Sequence, residues 1–317
     1  MNILGIETSC DETSAAIVHN GVRIHSNIVI SSLKEHASFG GIIPEIASRR
    51  QIEAIYTIVD QAAVIAKKKL KNIDAIAVTT KPGLIGSLLV GISFAKALSY
   101  ALNKPLIEVN HIQAHWYANF LRKIGDRQAL PSLPAIALVV SGGHTSLFHV
   151  KDFNKVRLLG QTRDDAAGEA FDKVARLLNL GYPGGPVIDK LASGGINENI
   201  RFTKARLENP YDFSFSGLKT AVLYYTQKNK DYKVNELVYS FQKTVVDDLT
   251  EKSIKACLKL KIKTLLIGGG VAANSALRKS LMEHGEANHI KVYFPPMALC
   301  LDNAAMIAGL GYRMLKN

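Results

Sequence analysis

Ile3-Leu4-Gly5-Ile6, then Glu7-Thr8-Ser9-Cys10-Asp11-Glu12-Thr13, then Ser14-Ala15-Ala16-Ile17-Val18 form an apolar run, a stretch dense in hydroxyls and carboxylates, and a second apolar run. This reads as a strand, a polar turn and a returning strand. The pattern recurs about 135 residues later: Ala135 to Val140 is a strand, Ser141-Gly142-Gly143-His144-Thr145 a turn, and Ser146 to Val150 the return. A unit that occurs twice at this distance indicates two related domains. Each turn taken alone also reads as an ordinary hairpin turn, and both suit anions, with the carboxylates of the first able to position a metal or a water. Hydroxyls and exposed backbone N–H groups hold phosphate, and paired glycines after a strand let N–H groups approach a ligand without a Cβ in the way.

Two phosphate-cradling hairpins in related domains are the arrangement of the α/β actin-like fold of sugar kinases, Hsp70 and actin, with two related domains around a nucleotide cleft. A chain of 317 residues suits two domains better than one. Residues 125–134, with two prolines and few apolar anchors, read as a linker. The expected division is 1–124 and 125–302, with a C-terminal helix, 303–317, packing back on the first domain. In the first domain Val22 to Ile30 continues the alternation of a strand. Apolar residues at helical spacing predict a helix over 44–71. Ile73 to Thr80 is a buried-type strand, Leu84 to Leu102 an apolar helix, Leu106 to Asn110 a short strand, and His111 opens another helix. In the second domain, 151–263 reads as loops and helices. Thr264 to Ile267 is a strand running into Gly268-Gly269-Gly270, a helix begins at Asn274, and a last helix covers about 302–314.

Composition narrows the classes. Hydrophobic residues at 47% and charged residues at 21% exclude disorder. Cys10, Cys257 and Cys300 are too few and too scattered for a disulfide framework. The first residues lack a basic signal region. The longest apolar stretch, 85–102, is interrupted by Gly86, Ser87, Gly91, Ser93 and Lys96, so a cytoplasmic protein without a membrane partner is expected. The net charge of +12 favours a polyanionic partner, nucleic acid first. The runs Lys67 to Lys71 and Lys259 to Lys263 read as solvated helix ends.

Three constellations carry chemistry. His111 and His115 stand at i, i+4, on one helix face, as two metal ligands require. The same spacing also suits a pair of structural histidines. Asp302 is a candidate third ligand, and two histidines plus one carboxylate leave coordination positions open. Ile112 stands where a zinc protease carries its catalytic Glu, so that reading fails. Gly268 to Asn274 lies between a strand and a helix, where an adenosine loop sits in actin-like folds. Ala273 breaks a dinucleotide fingerprint, and no P-loop motif occurs. Asp164, Asp165, Glu169, Asp172 and Asp189 cluster around Gly181 to Pro186. Carboxylates beside such a loop bind ribose hydroxyls, and the same spacing also fits a charged helix. Trp116 and Met297 read as packing residues.

Taken together, Gly5 to Ser14, His111 to His115, Ser141 to Thr145, Asp165 to Lys173, Pro183 to Pro186, Phe213 to Thr220 and Gly268 to Asn274 resemble one family over nearly the whole chain. It is the TsaD family of tRNA N6-adenosine threonylcarbamoyltransferases, once labelled glycoproteases, in its bacterial branch. The resemblance implies an acyltransferase that moves the threonylcarbamoyl group from threonylcarbamoyl-AMP to N6 of adenosine 37 in tRNAs reading codons that begin with A, releasing AMP. It implies one iron or zinc ion on His111, His115 and Asp302, and ATP or AMP as other occupants of the cleft. It places Val139, Val140, Ser141, Gly142 and Gly143 along the donor, Asp172 and Asp189 on its ribose, Gly185 and Asn274 on its adenosine, and Asp11 near the reacting centre. The implied partners are tRNA, a catalytically inactive homologue of the same fold and a small P-loop ATPase. Two other readings share the paired turns: an actin-fold phosphotransferase, which needs no histidine pair, and a nucleotide-holding scaffold, which needs neither the histidines nor the Asp172 cluster.

Overall fold

The structure, a computed structural model, describes residues 1–316 apart from 38, 40 and 196–198; Asn317, the end of the expected 303–317 segment, lies outside the described residues. The chain divides into two compact units, Met1–Pro131 with Pro295–Asn317, and Ser132–Phe294. Local bonds set these boundaries against the expected 124/125 and 302/303. The Arg122 guanidinium collects the carbonyls of Gln128 and Ala129, which ties them to the first unit. Ser132 Oγ meets Thr264 Oγ1 in the second. The N–H groups of Ala304 and Ala305 donate to Ser14 and Asn27, which ties the segment after Pro295, Asp302 included, to the first unit.

The first unit opens with β1 (Asn2–Glu7), β2 (Glu12–His19) and β3 (Arg23–Ser31), followed by the short α1 (Leu33–Ala37) and the long α2 (Pro44–Ile65). Pro44 sits in the first turn of α2, where its missing N–H costs nothing. The helix stops at Ile65, short of the expected Lys71, because Lys67 turns left-handed at φ 52° and no residue of the lysine run is buried. β4 (Ala75–Lys81), α3 (Ile85–Leu102), β5 (Leu106–Asn110), α4 (His111–Tyr117) and β6 (Arg122–Lys123) complete it before the crossing. α3 is one unbroken helix, long and apolar enough by length and composition to span a bilayer, in spite of its small residues. Ser87, Gly91 and Ala95 are its buried positions, against α2 and β4, whereas Gly86, Ser93 and Lys96 are exposed.

The second unit holds β7 (Ala135–Val140), β8 (Thr145–Val150), β9 (Val156–Gln161), α5 (Ala167–Leu177), α6 (Gly184–Ala192), α7 (Ser216–Lys228), α8 (Val234–Leu260), β10 (Thr264–Gly268), α9 (Ser275–Ala287) and β11 (Lys291–Tyr293); α10 (Ala304–Lys316) returns to the first unit. Three strands went unread in the sequence: β6, β9 and β11. β9 alternates weakly and is mostly exposed, and β11 is only three residues long.

The duplication is plain in the sheets. The first orders its strands β5-β4-β1-β2-β3-β6 and the second β11-β10-β7-β8-β9. In each, a central strand pairs antiparallel with its hairpin partner and parallel with a later strand. Each third strand joins with a register shift, at Ile17/Val18 and at Leu147/Phe148. The central strands β1, β4, β7 and β10 are buried almost throughout, as parallel strands covered on both faces must be. This arrangement puts each hairpin turn at the carboxyl end of its central strand, where open α/β sheets bind ligands.

Candidate metal centre and nucleotide turns

α4 begins directly after β5, capped by the Asn110 side chain, which accepts the Gln113 N–H at 3.1 Å. The helix therefore presents His111 and His115 at the sheet end, and both are buried. Asp302 reaches the same point from the start of α10. That start is pinned to the hairpin, since Ser14 Oγ accepts the Ala304 N–H at 2.8 Å and Asn27 Oδ1 the Ala305 N–H at 3.2 Å. His111 Nε2 lies 3.1 Å from His115 Nε2. Asp302 Oδ1 lies 3.5 Å from the first and 3.2 Å from the second. Three donor atoms at these separations match the edges of a tetrahedron or octahedron with bonds of about 2.1 Å.

The surroundings fit a cation too. His111 Nδ1 is 3.0 Å from Glu7 Oε2 and 3.1 Å from Ser9 Oγ, so its other nitrogen is directed to the ligand triangle. Glu7 is fully buried. It accepts the Ser9 N–H at 2.5 Å and the Thr79 hydroxyl at 2.5 Å. Burial raises the Glu7 pKa, but His111 outweighs it and the net direction is down. Burial alone would lower His111, yet Asp302 and then Glu7 lift it to about 9. Glu12 is pushed up to about 9 by burial and then by Asp302 and Asp11, and the Cys10 thiol is raised by burial and by Asp11, Asp302 and Glu12. So many carboxylates around two imidazoles make a strongly negative place, the chemistry a divalent ion answers.

The turn itself is clamped. Thr8 Oγ1 donates to the Ser87 carbonyl at 2.9 Å, the Leu84 N–H to the Ser9 carbonyl at 2.8 Å, and Gln51 Nε2 to the carbonyls of Cys10 at 2.8 Å and Glu12 at 3.1 Å. Asp11 is buried, its carbonyl taken by the Ser32 N–H and hydroxyl.

In the second unit, Ser141-Gly142-Gly143 follows fully buried Val139 and Val140. Gly142 and Gly143 are exposed, with open space where a Cβ would stand. Gly168, in the first turn of α5, touches this turn so closely that its Cβ would lie 2.6 Å from the Ser141 carbonyl oxygen. Asp172, on α5, accepts the Gly184 N–H at 2.7 Å and so fixes the start of α6; burial raises its pKa. Gly185 next to it has no neighbour within 4 Å of a Cβ. Asp189, on α6, accepts both the N–H and the hydroxyl of Ser275 at 2.9 Å. Asn274 caps α9 through the Leu277 N–H and donates to Gln242 Oε1 at 2.8 Å. Asp172, Gly185, Asp189 and Asn274 are thus joined by α5, α6 and the start of α9.

A family model described as TsaD, tRNA N6-adenosine threonylcarbamoyltransferase, matches residues 23–309. The chain belongs to this family. A tRNA N6-adenosine threonylcarbamoyltransferase of Clostridium perfringens is 53% identical over 315 residues, 98% of this chain and 91% of that one. That of Caldicellulosiruptor saccharolyticus is 52% identical over 318 residues, 98% and 92% of the two chains. Among solved structures, full-length HypF superposes with a TM-score of 0.66 at 14% identity, over all of this chain and 47% of its own. The Acidaminococcus fermentans (R)-2-hydroxyglutaryl-CoA dehydratase component A gives 0.56 at 14% identity, over 100% of both chains. These two show the fold, which is actin-like. The enzyme is therefore a transferase forming threonylcarbamoyladenosine in tRNA.

His111, His115 and Asp302 converge, with atoms close enough to hold a metal ion. Trp116 is buried as expected, whereas Met297 is 59% exposed and packs little. Sequence reading missed Glu7 as a partner of His111, and Thr79, Gln51 and Ser87 as clamps. The one signal was Glu7, a carboxylate closing an otherwise apolar strand.

Proposed function

We propose that the enzyme transfers the threonylcarbamoyl group from threonylcarbamoyl-AMP to N6 of adenosine 37 in tRNAs reading codons that begin with A, with AMP as the leaving group. The observation that carries this is the His111–His115–Asp302 triangle within a chain of this family. One iron or zinc ion held there would act as a Lewis acid on the transferred carbonyl. His111 is held for this by Glu7, which fixes its Nδ1 proton. Val139 to Gly143 line the donor, the two open glycines offering N–H groups to its phosphate and carbamoyl oxygens. Asp172 and Asp189 accept from its ribose, and Gly185 and Asn274 border its adenosine; with both side-chain ends of Asn274 engaged, that contact is through packing. ATP or AMP would use the same loops. Asp11 orients the attacking amine.

The outer faces of α2 and α3 leave Ile52, Tyr56, Ile65, Ile85, Leu89 and Tyr100 exposed. An apolar surface of this kind suits the inactive homologue as partner, and a small P-loop ATPase completes the set. The reaction belongs in the cytoplasm with its tRNA, away from membranes. The test is incubation of the enzyme and its partners with threonylcarbamoyl-AMP and unmodified tRNA. Modified nucleoside should appear by mass spectrometry of the digested RNA; intact donor and unchanged tRNA with metal-loaded protein would sink the proposal.

A further inference from the structure

We infer that the exposed face of α7 and the turn after it form the surface along which the tRNA backbone runs on the second unit. This rests on the tRNA-modifying reading and adds to it a location. The Phe213 to Thr220 stretch, strong in the family resemblance, supplies no residue to the metal centre or the nucleotide turns. Its product is α7, a helix with only Leu218 and Val222 buried and no acidic residue along its length. Ser216, Thr220, Tyr224 and Lys228 follow one another at i, i+4 on the exposed side, with Lys219 beside them and Lys230 just beyond. Tyr224 is 59% exposed.

Among the described residues, no carboxylate forms an ion pair with Lys219, Lys228 or Lys230. Of the acidic groups nearby, Asp164 sits at the first turn of this face and takes up the Ser216 hydroxyl, so the basic surface begins at Lys219, and the others pair with lysines outside it. Asp164 takes the Ser214 hydroxyl at 2.5 Å, the Ser216 hydroxyl at 2.8 Å and the N–H groups of Phe215 and Ser216 at 2.8 and 3.2 Å. Asp165 and Glu169 hold Lys173 at 2.6 and 2.9 Å, and Glu251 pairs with Lys204. Asp231 alone interrupts the basic run that ends at Lys233. Lysines, hydroxyls and an exposed tyrosine on one rigid face match a sugar–phosphate backbone with a base free to stack.

Its position also suits a substrate strand. Asp164 fastens the start of α7, and four residues later the Gly168 N–H donates to the Ser141 carbonyl at 3.2 Å. One short segment, 164–168, thus braces both α7 and the turn assigned to the donor phosphate.

The experiment measures binding of unmodified tRNA to the full chain from 50 to 200 mM KCl. K219E/K228E/K230E should lose roughly tenfold or more in affinity at the lower salt, and its log–log salt slope should be shallower by about 2 to 3. The charge-neutral K219Q/K228Q/K230Q should show the same change in slope, and Tyr224→Ala a smaller loss with the slope unchanged. Metal content and threonylcarbamoyl-AMP binding should stay at wild-type values in all three. Reversal of Lys67, Lys68 and Lys69 to Glu should leave affinity within about twofold. A wild type that modifies tRNA while both triple variants keep its Kd and slope overturns this surface alone. Equal loss from the Lys67–Lys69 reversal also overturns it, since diffuse charge would then explain the binding. A wild type that neither binds nor modifies tRNA overturns the transferase reading and the surface together.

Discussion

The two hairpin turns share a topology and differ in nearly everything else. Each follows the central strand of its sheet. The first, Thr8 to Thr13, is largely buried, acidic, and clamped by Gln51 of α2, by Ser87 of α3 and by Leu84 just before it. The second, Ser141 to His144, is open, uncharged apart from its histidine, and braced from one side by Gly168. One fold device thus yields a closed, negative pocket edge in one unit and an open row of backbone donors in the other. A rigid negative site suits a cation, and exposed N–H groups on glycines suit an anion. Duplication supplied the frame, and side-chain chemistry divided the work.

The largest effect should come from removing a ligand of the closed site. His115→Ala is the better variant, because it leaves the buried His111–Glu7 pair intact, whereas His111→Ala strands Glu7 without its counter-ion. His115→Ala should lose bound metal and at least about 100-fold in transfer activity, with a Tm near wild type and with nucleotide binding in the other unit unchanged. Metal measured by elemental analysis, alongside the rate, checks this; full metal content in the variant would remove the site from the comparison.

The next effect is a pH dependence confined to the first unit. In chain stripped of metal, Asp302 and Glu7 raise His111 to about 9 from an ordinary value of 6.5. The folded state then holds a proton that the unfolded chain has released. This stabilisation is complete below pH 6.5 and lost as pH rises through about 9, a change of roughly 3 kcal/mol. Denaturation of metal-free protein between pH 6 and 10 should show the loss, and His111→Ala should flatten it. Metal affinity should run the other way, rising with pH as the proton leaves.

Asp172→Asn sharpens the picture of the open unit. Its amide oxygen can still accept the Gly184 N–H, so only the charge is removed. Donor or AMP affinity should fall by about 1.5–3 kcal/mol, and the loss should vanish for a 2′,3′-dideoxy ligand. Equal loss for both ligands would mean that Asp172 shapes the loop and does not touch ribose.

The smallest effects come from crowding each turn in turn. Gly168→Ala places a methyl against the Ser141 carbonyl, and Gly83→Ala places one 2.5 Å from the Ser9 carbonyl oxygen. Each should cost about 1–3 kcal/mol in stability. Gly168→Ala should weaken phosphate binding and spare the metal, and Gly83→Ala the reverse. Calorimetric titration with AMP and with zinc separates them; crossed effects would show that the two turns are not independent.

Much of this was legible in the chain. The strand–turn–strand repeat, the two buried strands at residues 75–81 and 264–268, and the helical spacing of His111 and His115 are local patterns with periods that sequence displays directly. β9 and β11 were missed because an edge strand is defined by what it pairs with, and neither carries a clear alternation of its own. The lysine run ended α2 early because helical propensity without a buried face did not hold it there. Continuous α3 ran the other way, with the small residues Ser87, Gly91 and Ala95 forming the face that lets α2 and the sheet approach.

The sequence by itself determined the duplicated α/β frame, the family, and which residue types stand ready for metal and phosphate. Those follow from short-range order along the chain. Only the tertiary structure decided that Asp302, a candidate third ligand from the sequence about 190 residues beyond His111, comes within 3.5 Å of both histidine nitrogens, that Glu7 holds the His111 ring, and that Asp172 and Asp189 serve as backbone acceptors. Such contacts form when the sheet brings the ends of separate strands and helices to one point, and no local periodicity encodes which side chains will meet there.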